Sequence, residues 1–189
     1  MANYGGGSCA LSACWLERDE PVTAPTIDAV DVILRDGGTM RLEPPAASDA
    51  DALVEPLLES DWSERGALVG RLGGDAESRV VAVASYVRIN ETDVAEMAFA
   101  VADSEQERGI GTRLLEQLAR RARAHGITRF VADVLSSNAL ALTVFDDAGF
   151  RVAGERDAGE VELRFPIAKT PEFEAQVERR DRPRFEERA

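Results

Sequence analysis

The stretch Gln106-Glu107-Arg108-Gly109-Ile110-Gly111-Thr112 joins two segments of different period. Ahead of it, Val94 to Val101 is apolar and strand-like. Behind it, Ile110, Leu114, Leu118 and Ala122 recur every four residues, and Leu115 and Ala119 widen the stripe, as in an amphipathic helix. A strand therefore feeds a two-glycine loop that opens a helix. The first turn of such a helix has N–H groups without intrahelical partners and carries the positive end of the helix dipole. Without a Cβ at Gly109 and Gly111, an anionic oxygen can approach this backbone closely, and a diphosphate suits it. Two better-known phosphate loops do not match. No lysine follows Gly111, as the Walker pattern requires, and Leu114 stands where the dinucleotide fingerprint needs glycine or alanine.

Outward from this loop, Val30 to Leu34 reads as a strand, Asp36-Gly37-Gly38-Thr39 as a hairpin turn, and Thr39 to Leu42 as the returning strand. Pro44-Pro45 stops it. Ser48 or Asp49 caps a helix running to about Glu59, kinked or split by Pro56. Asp61 to Leu72 is ambiguous, with a second short helix as one reading. Arg79 to Ile89 is a strong β run, Asn90 to Asp93 a turn, and Val94 to Val101 the antiparallel partner. Gly109 to His125 is a crossover helix, so Thr128 to Leu135 returns parallel through a right-handed connection. Asn138 to Ala148 is a shorter helix stopped by Gly149. Val161 to Ile167 is the last strand, and Pro171 to Arg182 a terminal helix. The expected organisation is a flexible tail over residues 1–29, one α/β (α+β) domain over 30–168, and a helical extension over 169–189.

The order strand, Gln-x-x-Gly-x-Gly, helix, strand, Asn138, short helix, Gly149-Phe150 resembles the acyl-CoA half of the GNAT superfamily of N-acetyltransferases, over roughly residues 30–168. Leu34-Arg35-Asp36-Gly37, Ala95-Glu96-Met97-Ala98-Phe99, Arg129-Phe130-Val131-Ala132 and Thr170-Pro171-Glu172-Phe173 are similar to bacterial Pat-type protein lysine acetyltransferases. The resemblance implies a mixed, mostly antiparallel sheet flanked by helices and splayed between the fourth and fifth core strands, here Val94–Val101 and Thr128–Leu135. It implies acetyl-CoA as cosubstrate, no metal, and a protein lysine as acceptor, with an acyl-CoA synthetase as the partner of the Pat type. A small amine or a protein N-terminus as acceptor, or a catalytically weak acyl-CoA-binding regulatory domain, are the alternatives.

Glu96 aligns with the general base of the Pat type. Strand alternation puts Ala95, Met97, Phe99 and Val101 on one face, and Glu96, Ala98 and Ala100 on the other. A carboxylate among methyl groups predicts partial burial and a raised pKa. The chemistry needs such a base, since free lysine has a pKa near ~10.4 and roughly one amine in a thousand is neutral at pH 7. An ion pair with Arg88 across the hairpin is the structural reading of the same residue, and Asp133 is the rival base. For the cofactor, the resemblance assigns the backbone of Phe99-Ala100-Val101, beside an expected bulge, to the pantetheine and the thioester oxygen. It assigns Gln106, Glu107, Arg108, Gly109, Ile110, Gly111 and Thr112 to the diphosphate loop. Gln106 and Glu107 then shape the loop, while Arg108 lends charge. Asn138 is a helix cap, with a second role toward the pantetheine or diphosphate. Phe145 stands where many relatives carry a tyrosine that protonates the leaving sulfur; phenylalanine cannot, and packs against the pantetheine or the core. His125 is a favourable charge at a helix end, as are Arg120, Arg121 and Arg123, one of which could reach the 3′-phosphate of coenzyme A.

At 189 residues and 44% hydrophobic, the chain is long enough for one proper core. No apolar stretch approaches the ~20 residues of a membrane span, and Met1 to Ser12 has no basic region for a signal peptide. A cytoplasmic protein is expected. Cys9 and Cys14 lack partners at metal-ligand spacing and read as stray thiols. The net charge of −13 argues against nucleic acid and against an anionic membrane surface. It keeps the chain in solution, or draws it to a basic patch on a protein substrate.

Overall fold

The computed structural model describes residues 29–50, 53, 55–73, 78–150, 153–157 and 159–181. The tail expected over residues 1–29 lies outside them except for Ala29, and so does the end of the expected terminal helix at Arg182. One eight-stranded sheet runs in the order β1-β2-β3-β4-β5-β6-β8-β7. Its strands are β1 (Val30–Ile33), β2 (Thr39–Glu43), β3 (Arg65–Leu72), β4 (Arg79–Arg88), β5 (Val94–Val101), β6 (Arg129–Leu135), β7 (Ala153–Asp157) and β8 (Glu160–Pro166). Only β5 and β6 are parallel. The helices are α1 (Glu55–Leu58), α2 (Ile110–Ala124), α3 (Ala139–Ala148) and α4 (Pro171–Asp181).

The apolar stripe of α2 packs as its period predicts. Ile110, Leu114, Leu115, Leu118, Ala119 and Ala122 are all buried, against a sheet face carrying Leu68, Ala84, Tyr86, Ala95, Met97 and Phe130. Alternation in β5 holds along its length, with Ala95 and Met97 buried and Glu96, Ala98 and Ala100 exposed. Phe165 of β8 sits among Phe130, Phe145 and Phe150, with ring centroids 6.0, 5.2 and 5.2 Å away. These edge and tilted contacts join β6, β8 and α3.

Two expectations are corrected, and one strand had not been expected. Asp61 to Leu72 forms no second helix; from Arg65 it is β3, between β2 and β4. Asp61 Oδ1 accepts N–H bonds from Ser63, Glu64 and Arg65 (3.0, 2.9 and 3.1 Å), which looks locally like a helix cap. The strand then hides its period because Gly66 to Val69 are buried on both faces. Of the helix expected from Ser48 or Asp49 to Glu59, kinked or split by Pro56, the described residues hold a 3₁₀ turn at Ala47–Asp49 and the single turn α1, with Pro56 inside α1. Asp49 does not cap forward: it accepts the N–H of Ala46 behind it (2.9 Å) and pairs with Arg71. β7 had no strand signal, since Ala-Gly-Glu-Arg-Asp is polar and pairs only with β8 at the sheet edge.

Candidate active site

β5 and β6 pair only at Val94↔Arg129, Ala95↔Phe130 and Glu96↔Val131. Beyond Glu96 they part, and this is the expected splay. On its other side β5 stays paired with β4 without interruption from Arg88↔Ala95 to Ala82↔Val101. The bulge expected beside Phe99–Val101 is therefore not in this ladder. The register shifts one strand over, between β3 and β4 at Gly70/Arg71, where a side chain on Gly70 would strike the Met40 sulfur.

Ladder parity settles which backbone groups face the gap. Ile89 N–H donates to Val94 O (2.9 Å) and Ala102 N–H to Val81 O (2.8 Å). Even-numbered residues of β5 thus direct their polar backbone groups at β4, whereas Phe99 and Val101 direct theirs toward the side that β6 has left. A cavity of about 450 Å³ opens there. One wall is Phe99, Ala100 and Val101; the floor is Gln106, Glu107 and Gly109 to Thr112; the other wall is Asn138 with the α3 face of Leu140, Ala141, Thr143, Val144 and Asp147. Arg35 and Glu105 complete it. Ten of the predicted cofactor residues thus converge on one space.

Gly109 caps α2 in the left-handed region, at φ 81°, and the first helical hydrogen bond there is Arg113 N–H to Gly109 O (3.2 Å). Ile110, Gly111 and Thr112, whose first-turn N–H groups precede that bond, line the cavity. Gly111 has a different reason to be glycine from the one its motif suggests. An added Cβ would lie 3.1 Å from Val144 and 3.2 Å from Phe99, so its absence lets α2 approach α3 and β5. Asn138 is the N-cap of α3, its Oδ1 accepting the Ala141 N–H (3.0 Å), and it also faces the cavity. Gln106 turns back onto Asp103 (3.0 Å), the loop-shaping role expected of it.

Two predicted cofactor residues lie elsewhere. Arg108 is spent on carboxylates: it binds Asp36 (2.6 Å) and Glu105, and Glu105 also takes Arg79. These contacts staple the β1–β2 turn to the glycine loop. The Arg108 hydrogen bond is the main cause holding Asp36 below its ordinary pKa, and Arg108 and then Arg79 do the same for Glu105. Phe145, 1% exposed, belongs to the core, stacking edge-on with Phe99 and Phe165. Arg120, Arg121 and Arg123 sit toward the far end of α2, roughly 15–20 Å from Ile110 at ~1.5 Å per residue. Arg123 is committed to Ile167 O (2.6 Å) and the Phe173 ring. His125 closes α2 with its N–H on Ala122 O (3.0 Å), and its ring lies against Trp62.

Glu96 occupies the last register pair before the strands part. It is exposed, not partly buried as expected, because its cross-strand neighbour Val87 is itself half open and no helix covers it. The ion pair with Arg88 does not form. Arg88 points to the other face and bonds Ser63 O, Thr92 O and His125 O (2.7, 2.5 and 2.7 Å). Glu96 has no hydrogen-bond or ion-pair partner among the described residues. Asp133 lies on the same face of β6, two residues beyond the last parallel pair.

Arg35 and Asp147, paired at 3.0 Å, were missed. Asp147 had a signal, since Leu140, Val144 and Asp147 recur at helical spacing on one face. Arg35 had none: only the tertiary fold brings it to α3. Among the described residues no cluster of three or more His, Cys, Asp or Glu side chains is arranged for a metal, and no helix is long and apolar enough to cross a membrane.

The acetyltransferase (GNAT) family model matches residues 39–150. The chain is 36% identical over 129 residues to acetyltransferase Pat of Mycolicibacterium smegmatis, covering 67% of this chain and 38% of that protein. It is 31% identical over 88 residues to an L-methionine sulfoximine/L-methionine sulfone acetyltransferase of Pseudomonas aeruginosa, covering 44% and 51%. Among solved structures, the GNAT domain of S. lividans PAT superposes with TM-score 0.65 at 31% identity, covering 73% of this chain and 96% of that one. A cAMP-binding acyltransferase from Mycobacterium smegmatis gives TM-score 0.62 at 28% identity, covering 79% and 52%. The chain thus spans well under two thirds of the length of the curated relatives it matches. With the splayed parallel pair, the open α2 N-terminus and the family match in agreement, this chain belongs to the acetyltransferase (GNAT) family and its domain is of the Pat-like kind.

Proposed function

We propose that this chain transfers acetyl from acetyl-CoA to a lysine ε-amine on a protein, by direct attack with Glu96 as general base. The observation that carries this reading is the position of Glu96 at the fork of β5 and β6, exposed and unpartnered, on the face opposite α2. A pantetheine arm lying along the free edge of β5 would emerge beside it. The cavity fits the cofactor: it has the first turn of α2, whose N–H groups have no intrahelical partner, for a diphosphate and a polar strand edge for an extended arm. Acetyl-CoA supplies an activated thioester. Phe99 and Val101 N–H groups would donate to the pantetheine amide oxygens and to the thioester carbonyl oxygen, and Asn138 would support the arm from α3. Glu96 takes the ammonium proton and frees the amine for attack. Phe145 offers no proton, so the departing thiolate is protonated through water by the second proton that the attacking nitrogen loses.

The kinship with Pat supports a protein acceptor, and an acyl-CoA synthetase is the partner we infer. The similarity to the methionine sulfoximine acetyltransferase favours a second reading, a small amine in the same place. Labelled acetyl-CoA incubated with a proteome and with a panel of small amines separates them. The chain has one lysine, Lys169, so self-acetylation gives little background. Label on lysines of a discrete protein supports the first reading; label only on small amines overturns it.

A further inference from the structure

The cavity is short of positive charge. Its acidic lining is Glu105, Glu107 and Asp147, and its one cation among the described lining residues is Arg35. Arg79 and Arg108 already answer Glu105. Coenzyme A brings a diphosphate and a 3′-phosphate, and helix N–H groups alone would have to hold these beside two further carboxylates. Arg35 stands on the β1–β2 turn, where its N–H donates to Arg108 O (2.9 Å) and where a Cβ added at Gly109 would meet its own Cβ at 3.7 Å. The Arg108–Asp36 pair fixes that turn to the loop. The backbone of Arg35 is therefore anchored next to the α2 N-terminus, while its guanidinium swings free except for Asp147. Asp147 is held in turn: Arg180 of α4 donates to its carbonyl oxygen (2.6 Å).

Resting on the acetyl-CoA reading of this cavity, we propose that Arg35 is a phosphate ligand of the cofactor, stored on Asp147 until the phosphate displaces that carboxylate. The Arg35–Asp147 pair has 57% and 40% of its side-chain surfaces exposed, so water screens it and exchange is easy. A phosphate offers the guanidinium two parallel acceptors in the same place, the geometry in which arginine binds most strongly. Asp147 then has two opposed effects: it pre-orients Arg35, and it competes with the ligand.

The test is calorimetric titration of the full chain with coenzyme A and with 3′-dephospho-coenzyme A, for wild type, Arg35→Ala, Arg35→Lys, Asp147→Asn and the Arg35→Ala/Asp147→Asn pair. Arg35→Ala should weaken coenzyme A about tenfold, the loss of one charge-assisted contact, and Arg35→Lys should recover part of it. Asp147→Asn should tighten binding in the wild-type background more than in the Arg35→Ala background. A loss equal for both ligands assigns the contact to the diphosphate; a loss confined to coenzyme A assigns it to the 3′-phosphate. Undiminished affinity in a folded Arg35→Ala protein overturns the proposal. Should that variant not fold, equal tightening by Asp147→Asn and by Asp146→Asn, which removes an exposed carboxylate outside the cavity lining, overturns it instead. If wild type binds neither ligand, the cofactor reading of the cavity fails first, and the role of Arg35 with it.

Discussion

Glu96 and Gly111 are both motif residues, yet their surroundings give them different physical roles. Glu96 touches nothing the fold needs, so Glu96→Gln should leave stability and acetyl-CoA affinity unchanged while lowering kcat at neutral pH by roughly a hundredfold or more. Unaltered turnover would remove Glu96 from the mechanism and leave Asp133 as the base to test. Gly111 is a packing residue. Gly111→Ala should cost roughly 1–3 kcal/mol by urea denaturation, since the methyl meets Val144 and Phe99 at less than normal contact distance. Adding Val144→Ala should restore part of the loss; no recovery would mean that the α2–α3 approach is not what excludes a side chain. Glu107 combines both kinds of constraint, as a non-glycine residue at φ 62° in the cavity floor. Glu107→Gly removes a left-handed strain and one negative charge from the cavity lining, so acetyl-CoA should bind several-fold tighter by calorimetry.

At the scale of elements, the glycine loop is held by charge as much as by its backbone. Asp36, Arg108, Glu105 and Arg79 tie β1–β2, the loop and β4 together. Asp36 and Glu105 both have folded pKa values below their ordinary 3.8 and 4.5. Their contribution to stability is therefore complete above about pH 4.5 and disappears as pH falls through the lowered folded values. Asp36→Asn should flatten this acid limb relative to wild type when urea midpoints are followed from neutral pH downward; parallel limbs would show the staple to be energetically idle. Glu116 of α2 has the opposite sign. Burial raises its pKa, against the pull of Arg180 and Arg113, so its linkage favours the folded chain at low pH and fades as pH rises through the folded value. It also docks α4, where Phe173 is buried and Arg180 reaches both Glu116 and Asp147.

For the whole molecule, the charge of −13 matters for encounter. An acidic enzyme approaching a lysine in a basic patch gains association rate from long-range attraction. Raising salt from roughly 0.1 M to roughly 1 M shortens the Debye length from ~10 Å to ~3 Å. Over that range kcat/KM for an intact acyl-CoA synthetase should fall steeply, and for its isolated lysine peptide or a small amine much less. Equal salt dependence for all three acceptors would mean that net charge does not guide substrate choice.

The sequence alone determined what depends on local order. The α2 stripe, the Val94–Val101 alternation, the Asn138 cap and the two-glycine loop are each written within a dozen residues, where period and turn chemistry act directly. The GNAT assignment rests on these elements. β3 escaped because it is buried on both faces and so shows no period, and β7 because an edge strand needs few apolar residues. What only the tertiary structure decided is which charges are free. Arg108 looks like a phosphate ligand in its motif, but Asp36, 72 positions away, occupies it. Arg35 looks like a turn residue until α3 brings Asp147 within 3.0 Å across 112 positions. Ion pairing acts through space at distances that chain separation does not encode, so the motif could locate the cavity but not say which arginine it leaves for the ligand.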